Sequence, residues 1–198
     1  IFGVKGGVGS TTLATNLAVS LSQRTQKEVL LLDADFQFGQ AALFLNCKPR
    51  YSALDLAGNL DSVDPELLKK SLPQSAAGVY FLGGPANIED AEVIKASHME
   101  QMLTLLRGLF HYLIIDTSPT LNDLTLRLLD ESDLILLIAN FDVPSFYSAK
   151  KCLDLFQRLG YEKDKVRLLM NRYAAHEVLD LEAVEKSIGY PIFWKIPN

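Results

Sequence analysis

Ten residues near the start of the chain, Gly3-Val4-Lys5-Gly6-Gly7-Val8-Gly9-Ser10-Thr11-Thr12, combine one lysine, four glycines and three hydroxyls. Glycines let a backbone curl so that several N–H groups face one anion, and a helix beginning there adds partial positive charge. The apolar pair Ile1-Phe2 stands before this loop and Leu13-Ala14-Thr15-Asn16-Leu17-Ala18-Val19, with helical spacing, stands after it. Strand, glycine loop and helix in that order form a phosphate cradle, and a nucleoside triphosphate is the guest that suits it. Gly6, Gly7, Val8, Gly9, Ser10, Thr11 and Thr12 are the residues expected to line it.

The usual phosphate-loop pattern asks for a lysine between Gly9 and Thr11, where it reaches the β- and γ-phosphates. This chain has Ser10 there, Val4 where the first glycine of the pattern stands, and Lys5 at the near end of the loop. A serine hydroxyl can hydrogen-bond a phosphate oxygen but brings no charge. The cradle is therefore expected to bind, with turnover left in question.

Carboxylates follow at the ends of apolar runs. Leu30-Leu31-Leu32-Asp33-Ala34-Asp35 ends in two acids at alternate positions, expected on one side of a strand end near the phosphates and a magnesium ion. Ile114-Ile115-Asp116-Thr117-Ser118-Pro119 repeats the arrangement. A strand ending in aspartate is also an ordinary turn signal, so each acid gains weight only beside the loop. Asp123, Asp133 and Asp142 read as helix-cap or turn residues. Phe36, Phe38, Phe141 and Phe146 read as core or loop packing, and Lys69-Lys70 and Lys150-Lys151 as solvated helix faces.

These residues need a frame that brings strand ends together. Apolar runs of strand length fall at 1–4, 29–33, 79–82, 112–116, 134–139, 166–170 and 192–194. Helical stretches fall between them at 11–24, 65–72, 98–109, 121–129, 145–159 and 181–188. The alternation predicts an α/β fold: a mostly parallel twisted sheet with helices on both faces, in three layers. Ligands on such sheets sit at the carboxyl ends of strands, where the loop, Asp33, Asp35, Asp116 and Asn171 all fall. The stretch from Cys47 to Ser75 is the most loop-like and is the expected partner surface, or else a peripheral helical excursion.

The 198 residues are expected to form one domain, 48% hydrophobic and 22% charged, which excludes a disordered chain. A net charge of −5 argues against nucleic acid as the partner. Cys47 and Cys152 are distant and make no metal or redox motif, so both are expected reduced and at least half-buried. His98, His111 and His176 are scattered and read as surface or helix-end residues. No apolar run reaches membrane-spanning length and no signal peptide is seen, which leads to the expectation of a cytoplasmic domain. The absence of an initial methionine, with an apolar run at each end, reads as an excerpt of a longer protein.

Lys5-Gly6-Gly7-Val8-Gly9 with Thr11-Thr12 and Asn16-Leu17-Ala18, then Asp33-Ala34-Asp35 and Asp116-Thr117-Ser118-Pro119, resembles the deviant Walker A ATPases of the ParA/MinD superfamily. Residues 35–43 with Pro49-Arg50, Leu159-Gly160-Tyr161 and residues 166–173 are similar to its CpaE/TadZ pilus assembly branch. The resemblance implies ATP and Mg2+ as ligands and P-loop NTPase topology. It makes Lys5 the signature lysine that crosses a nucleotide-sandwich homodimer, and Asp35 the acid that orients attacking water. Thr11 becomes a magnesium ligand, Asp35 and Asp116 acids near the metal, and Thr12 a phosphate contact. Asn171 becomes the amide that reads adenine, with Pro197 near the base. The departure is Ser10, where most members keep a second lysine. The implied function is a slow or conditional ATPase switch whose ATP-bound dimer positions Flp/Tad-type pilus or secretion proteins at the inner membrane face of a cell pole. The alternatives are a non-catalytic ATP-bound scaffold and a DNA-partition or division-site ATPase. Membrane contact is expected only through partners or a segment outside this sequence.

Overall fold

Each apolar run becomes a strand, and every strand pairing is parallel. The computed structural model describes residues 1–174 and 180–198, which form two compact units, Thr11–Glu131 and Ile1–Ser10 with Ser132–Asn198. Among the described residues no helix is long and apolar enough to cross a membrane.

In Thr11–Glu131 the strands β2 (Val29–Asp33), β3 (Val79–Leu82) and β4 (Tyr112–Asp116) form a sheet in the order β3-β2-β4. All five residues of β2 are buried, which is why Val29-Leu30-Leu31-Leu32 is apolar without alternation. Register sets Asp33 directly beside Asp116. Helix α1 (Ser10–Thr25) continues from the glycine loop. The remaining helices are α2 (Ala41–Phe44), α3 (Ala53–Ala57), α4 (Pro65–Ser71), α5 (Ala96–Leu109) and α6 (Asp123–Glu131), with a 3-10 turn at Ile88–Val93. Leu30, Leu32, Leu56, Leu82, Met99 and Leu106 pack in one apolar cluster. Truncating any one of these leucines to alanine would cost about 2–5 kcal/mol.

The other unit carries β1 (Phe2–Gly3), β5 (Ile135–Asn140), β6 (Val166–Tyr173) and β7 (Ile192–Pro197), ordered β1-β5-β6-β7. Helix α7 (Val143–Arg158) buries Ala149, Cys152, Leu153 and Phe156, one face at helical spacing. Phe2 meets Phe156 edge-on, with ring centroids 6.2 Å apart. Helix α8 (Leu181–Ile188) is capped by Asp180 and ends at Gly189, whose φ of 76° an L side chain rarely adopts.

Segment 47–75 holds the short helices α3 and α4. Cys47 is half-buried and Cys152 buried, both free thiols, as expected. His98 stands in the first turn of α5, its Nδ1 accepting the Lys95 N–H, and His111 is exposed. His176 lies outside the described residues. Phe36 and Phe141 are buried as expected, whereas Phe38 is exposed.

Candidate functional site

The glycine loop hangs from the end of β1. Val4 N–H still bonds the Ile138 carbonyl at 3.0 Å, and then the chain turns. Gly7 and Gly9 take φ values of 78° and 93°, the left-handed region that favours glycine. At Gly9 the reason is also space: a Cβ there would lie 2.5 Å from the Asn171 amide nitrogen. That nitrogen donates to the Val8 carbonyl at 2.7 Å, so the amide at the end of β6 holds the loop's shape. It retains a second N–H. Val8 itself is fully buried and anchors the loop. Around Gly6 and Gly7 a Cβ would meet nothing within 4 Å, which leaves their backbone open to an approaching group.

Lys5 is not loose. Its Nζ lies 3.2 and 3.3 Å from the two carboxylate oxygens of Asp142. Asp142 is also the N-cap of α7, accepting the Ser145 N–H at 2.7 Å. Desolvation is the largest single influence on the Asp142 carboxyl and raises it, but the Ser145 N–H, the Ser145 hydroxyl and Lys5 together outweigh it and hold the group below its ordinary value. Nearby, Asn140 Oδ1 at the end of β5 is buried without a partner, and Asn140 is in register with Asn171. Pro197 pairs with Tyr173, two residues past Asn171, across a break in register where Arg172 takes a φ of 54°.

The acids sit in the other unit. Asp116 closes β4 with 2% exposure. Burial pushes its carboxyl above the ordinary value, and the Thr11 hydroxyl, at the start of α1, donates to it and opposes the rise. Its Oδ1 is buried with no partner. A buried carboxylate oxygen left unpaired is costly, and a cation relieves it. Thr12 lies in the same first helical turn, its carbonyl accepting the Asn16 amide at 2.7 Å.

Asp33 and Asp35 diverge. Asp33 is 3% exposed; its Oδ2 accepts the Ala41 N–H at 3.0 Å and its Oδ1 the Asp35 N–H at 3.3 Å. Gly39 presses on it so closely that a Cβ would clash with the carboxylate. Burial raises its pKa to about 7; the Ala41 N–H pulls the other way and the Asp116 charge adds to the rise. Asp33 is thus a fastening of loop 34–41 rather than an open ligand, a correction to the expectation of two matched acids. Asp35 is half-buried, and its Oδ1 accepts the Phe38 N–H at 3.3 Å. It borders a cavity of about 720 Å³ that also reaches Lys95, Ser118 and Asn122.

Among the described residues no three His, Cys, Asp or Glu side chains gather as a metal cluster. A hydroxyl and one unsatisfied carboxylate, Thr11 and Asp116, fit a magnesium ion that keeps most of its water and takes phosphate oxygens. Lys5's tie to Asp142 and Asn171's grip on Val8 could not be read from sequence, because they join residues 137 and 163 positions apart.

Residues 1–167 match a family model described as an AAA domain. An ATP-binding protein of Methanocaldococcus jannaschii is 27% identical over 197 residues, 98% of this chain and 71% of that protein. The septum site-determining protein MinD of Thermotoga maritima is 25% identical over 202 residues, 98% of this chain and 72% of its own length. A ParA family ATPase from Chlorobium tepidum superposes with a TM-score of 0.92 at 22% identity, covering 100% of this chain and 82% of that one. MinD of Pyrococcus horikoshii, complexed with Mg-ADP, gives 0.79 at 21%, covering 98% and 77%. The likeness shows the expected fold, a mostly parallel sheet with helices on both sides.

Proposed function

Because the chain belongs to the AAA domain family, within the ParA/MinD superfamily of P-loop ATPases, we propose that it binds ATP with Mg2+ and works as a nucleotide-dependent positioning switch. The observation that carries this reading is the unpartnered Oδ1 of buried Asp116 beside the Thr11 hydroxyl. Thr11 and Asp116 would hold the magnesium ion, which neutralises phosphate charge when bound. The N–H groups of residues 6–12 would cradle phosphate oxygens, with the Ser10 and Thr12 hydroxyls as further contacts. Asp35 would orient the attacking water and accept its proton. Asn171 would offer its remaining N–H to the adenine, with Pro197 against the base.

Ser10 leaves the cradle one cation short. Lys5 would supply that charge to a second copy in an ATP-bound homodimer, as an arginine finger does in trans, once released from Asp142. Hydrolysis would then be slow and tied to dimerisation. Motif similarity over residues 35–43 and 166–173 supports a role in positioning Flp/Tad-type pilus or secretion proteins at the cell pole.

Calorimetry with Mg-ATP should register binding, and Thr11→Ala and Asp116→Ala should each remove its magnesium-dependent part. No uptake of nucleotide by the unsubstituted chain would sink the reading. A second reading, a non-catalytic ATP-bound scaffold, is favoured by Ser10 itself. Absence of basal phosphate release, with release gained in Ser10→Lys, would select it.

A further inference from the structure

Between Asp35 and Asp55 run 19 residues without a single carboxylate, in a chain whose net charge is −5. They carry Lys48 and Arg50, both exposed. Within them α2 turns Ala41 and Leu45 inward, four residues apart, at 0% and 7% exposure. Its other side holds Leu43 and Phe44 out at 75% and 55%, and Phe38 precedes it at 68%. Large apolar side chains scattered singly on a surface need no explanation, but three within seven residues form a patch.

The backbone that displays them is fastened. Gly39 N–H bonds the Asp35 carbonyl at 2.7 Å and Ala41 N–H bonds Asp33. Asn46, at a φ of 51°, ends α2 and leads into Lys48-Pro49-Arg50. The patch is therefore a fixed apolar tip, with the neutral Gln37, Gln40 and Asn46 next to it in sequence, the Asp35 carboxylate spent on the Phe38 N–H at its start, and two cations following it.

We propose that this segment is an interfacial anchor for an anionic lipid surface. Phe38, Leu43 and Phe44 enter the boundary between headgroups and acyl chains, and Lys48 and Arg50 pair with lipid phosphates. The sign of the charge selects the occupant: an acid-free cationic segment on an acidic protein complements a negative surface. A second copy meeting this patch across a two-fold axis would set like charges together. Three side chains and two cations make a weak, reversible anchor, which pairing of two copies would strengthen through avidity. The proposal requires no nucleotide, so its failure is distinct from failure of the ATP reading.

The test is co-sedimentation of the 198-residue chain, without nucleotide, with vesicles of phosphatidylcholine alone or mixed with phosphatidylglycerol. Binding should be about tenfold greater on the anionic vesicles and fall as salt rises. Leu43→Ser with Phe44→Ser should reduce it to the phosphatidylcholine level with circular dichroism unchanged. Lys48→Glu with Arg50→Glu, substituted at exposed positions, should abolish the preference for anionic lipid. Equal sedimentation with both vesicle types, no sedimentation with either, or both double variants behaving as the unsubstituted chain would each overturn the proposal. So would a dimer in size-exclusion chromatography that the Leu43/Phe44 variant dissociates in the absence of vesicle binding, since that assigns the patch to a second copy.

Discussion

At the scale of single residues, Asp142 shows how one charge can serve two ends. The carboxylate of Asp142 both caps α7 and holds Lys5. The pair is half-exposed, at 37% and 41%, so the ion pair itself contributes under about 1 kcal/mol. Asp142→Ala should therefore destabilise the chain by about 1 kcal/mol, mostly through the lost cap. If Lys5 acts on a second copy, the same variant should raise the dimer fraction with ATP, measured by light scattering; Asp142→Asn, which keeps a capping oxygen, should do so with less loss of stability. Asp33 makes the opposite kind of statement. Its folded pKa of about 7 stands above the ordinary 3.8, so folding takes up a proton in that window. The stability this confers is fully present below pH 3.8 and is lost as pH rises through about 7. Asp33→Asn, which does not titrate, should remove that slope from urea-unfolding free energies measured between pH 5 and 8. Asp33→Ala should cost about 1–3 kcal/mol, because the Ala41 and Asp35 N–H groups lose their acceptor.

At the scale of elements, β2, β3, β4 and α8 are legible from sequence to the residue. In each the apolar pattern stops at a residue that cannot continue it: Asp33, Gly83, Asp116 and Gly189. The five-residue α3 and the six-residue 3-10 turn Ile88–Val93 are not legible, because both are too short for a 3.6-residue apolar period to repeat. The capping box of Ser52 and Asp55 was the available signal for α3. The glycine loop is legible because its glycines are local requirements of backbone shape. Its fastenings to Asn171 and Asp142 arise only when β5 pairs with β1 and β6 with β5. Helix α7 offers a check on its inward face. Burial pushes the Cys152 thiol up to about 11 and raises that of the half-buried Cys47. Iodoacetamide at pH 8 should alkylate both thiols far more slowly in the native chain than in urea, since the thiolate is the nucleophile. Rapid native alkylation of Cys152 would mean that α7 does not pack as described.

At the scale of the whole molecule, nucleotide binding becomes a stability measurement. A ligand that binds only the folded chain adds about 2.7 kcal/mol at a hundredfold excess over its dissociation constant. For a chain of 198 residues each kcal/mol moves the thermal midpoint by about 2–4 °C, so saturating Mg-ATP should raise it by about 5–10 °C. The chain divides into two compact units, and calorimetry must first establish whether it unfolds in one transition or two. The magnesium dependence then separates two contributions. On the proposed reading, backbone amides of the glycine loop would give a shift with ATP in chelator, while Thr11 and Asp116 would govern the increment that magnesium adds. Thr11→Ala should therefore leave the first and remove the second. A variant that loses both equally would show that Thr11 shapes the loop and does not serve the ion, and the unpartnered Asp116 oxygen would then need another cation to explain it.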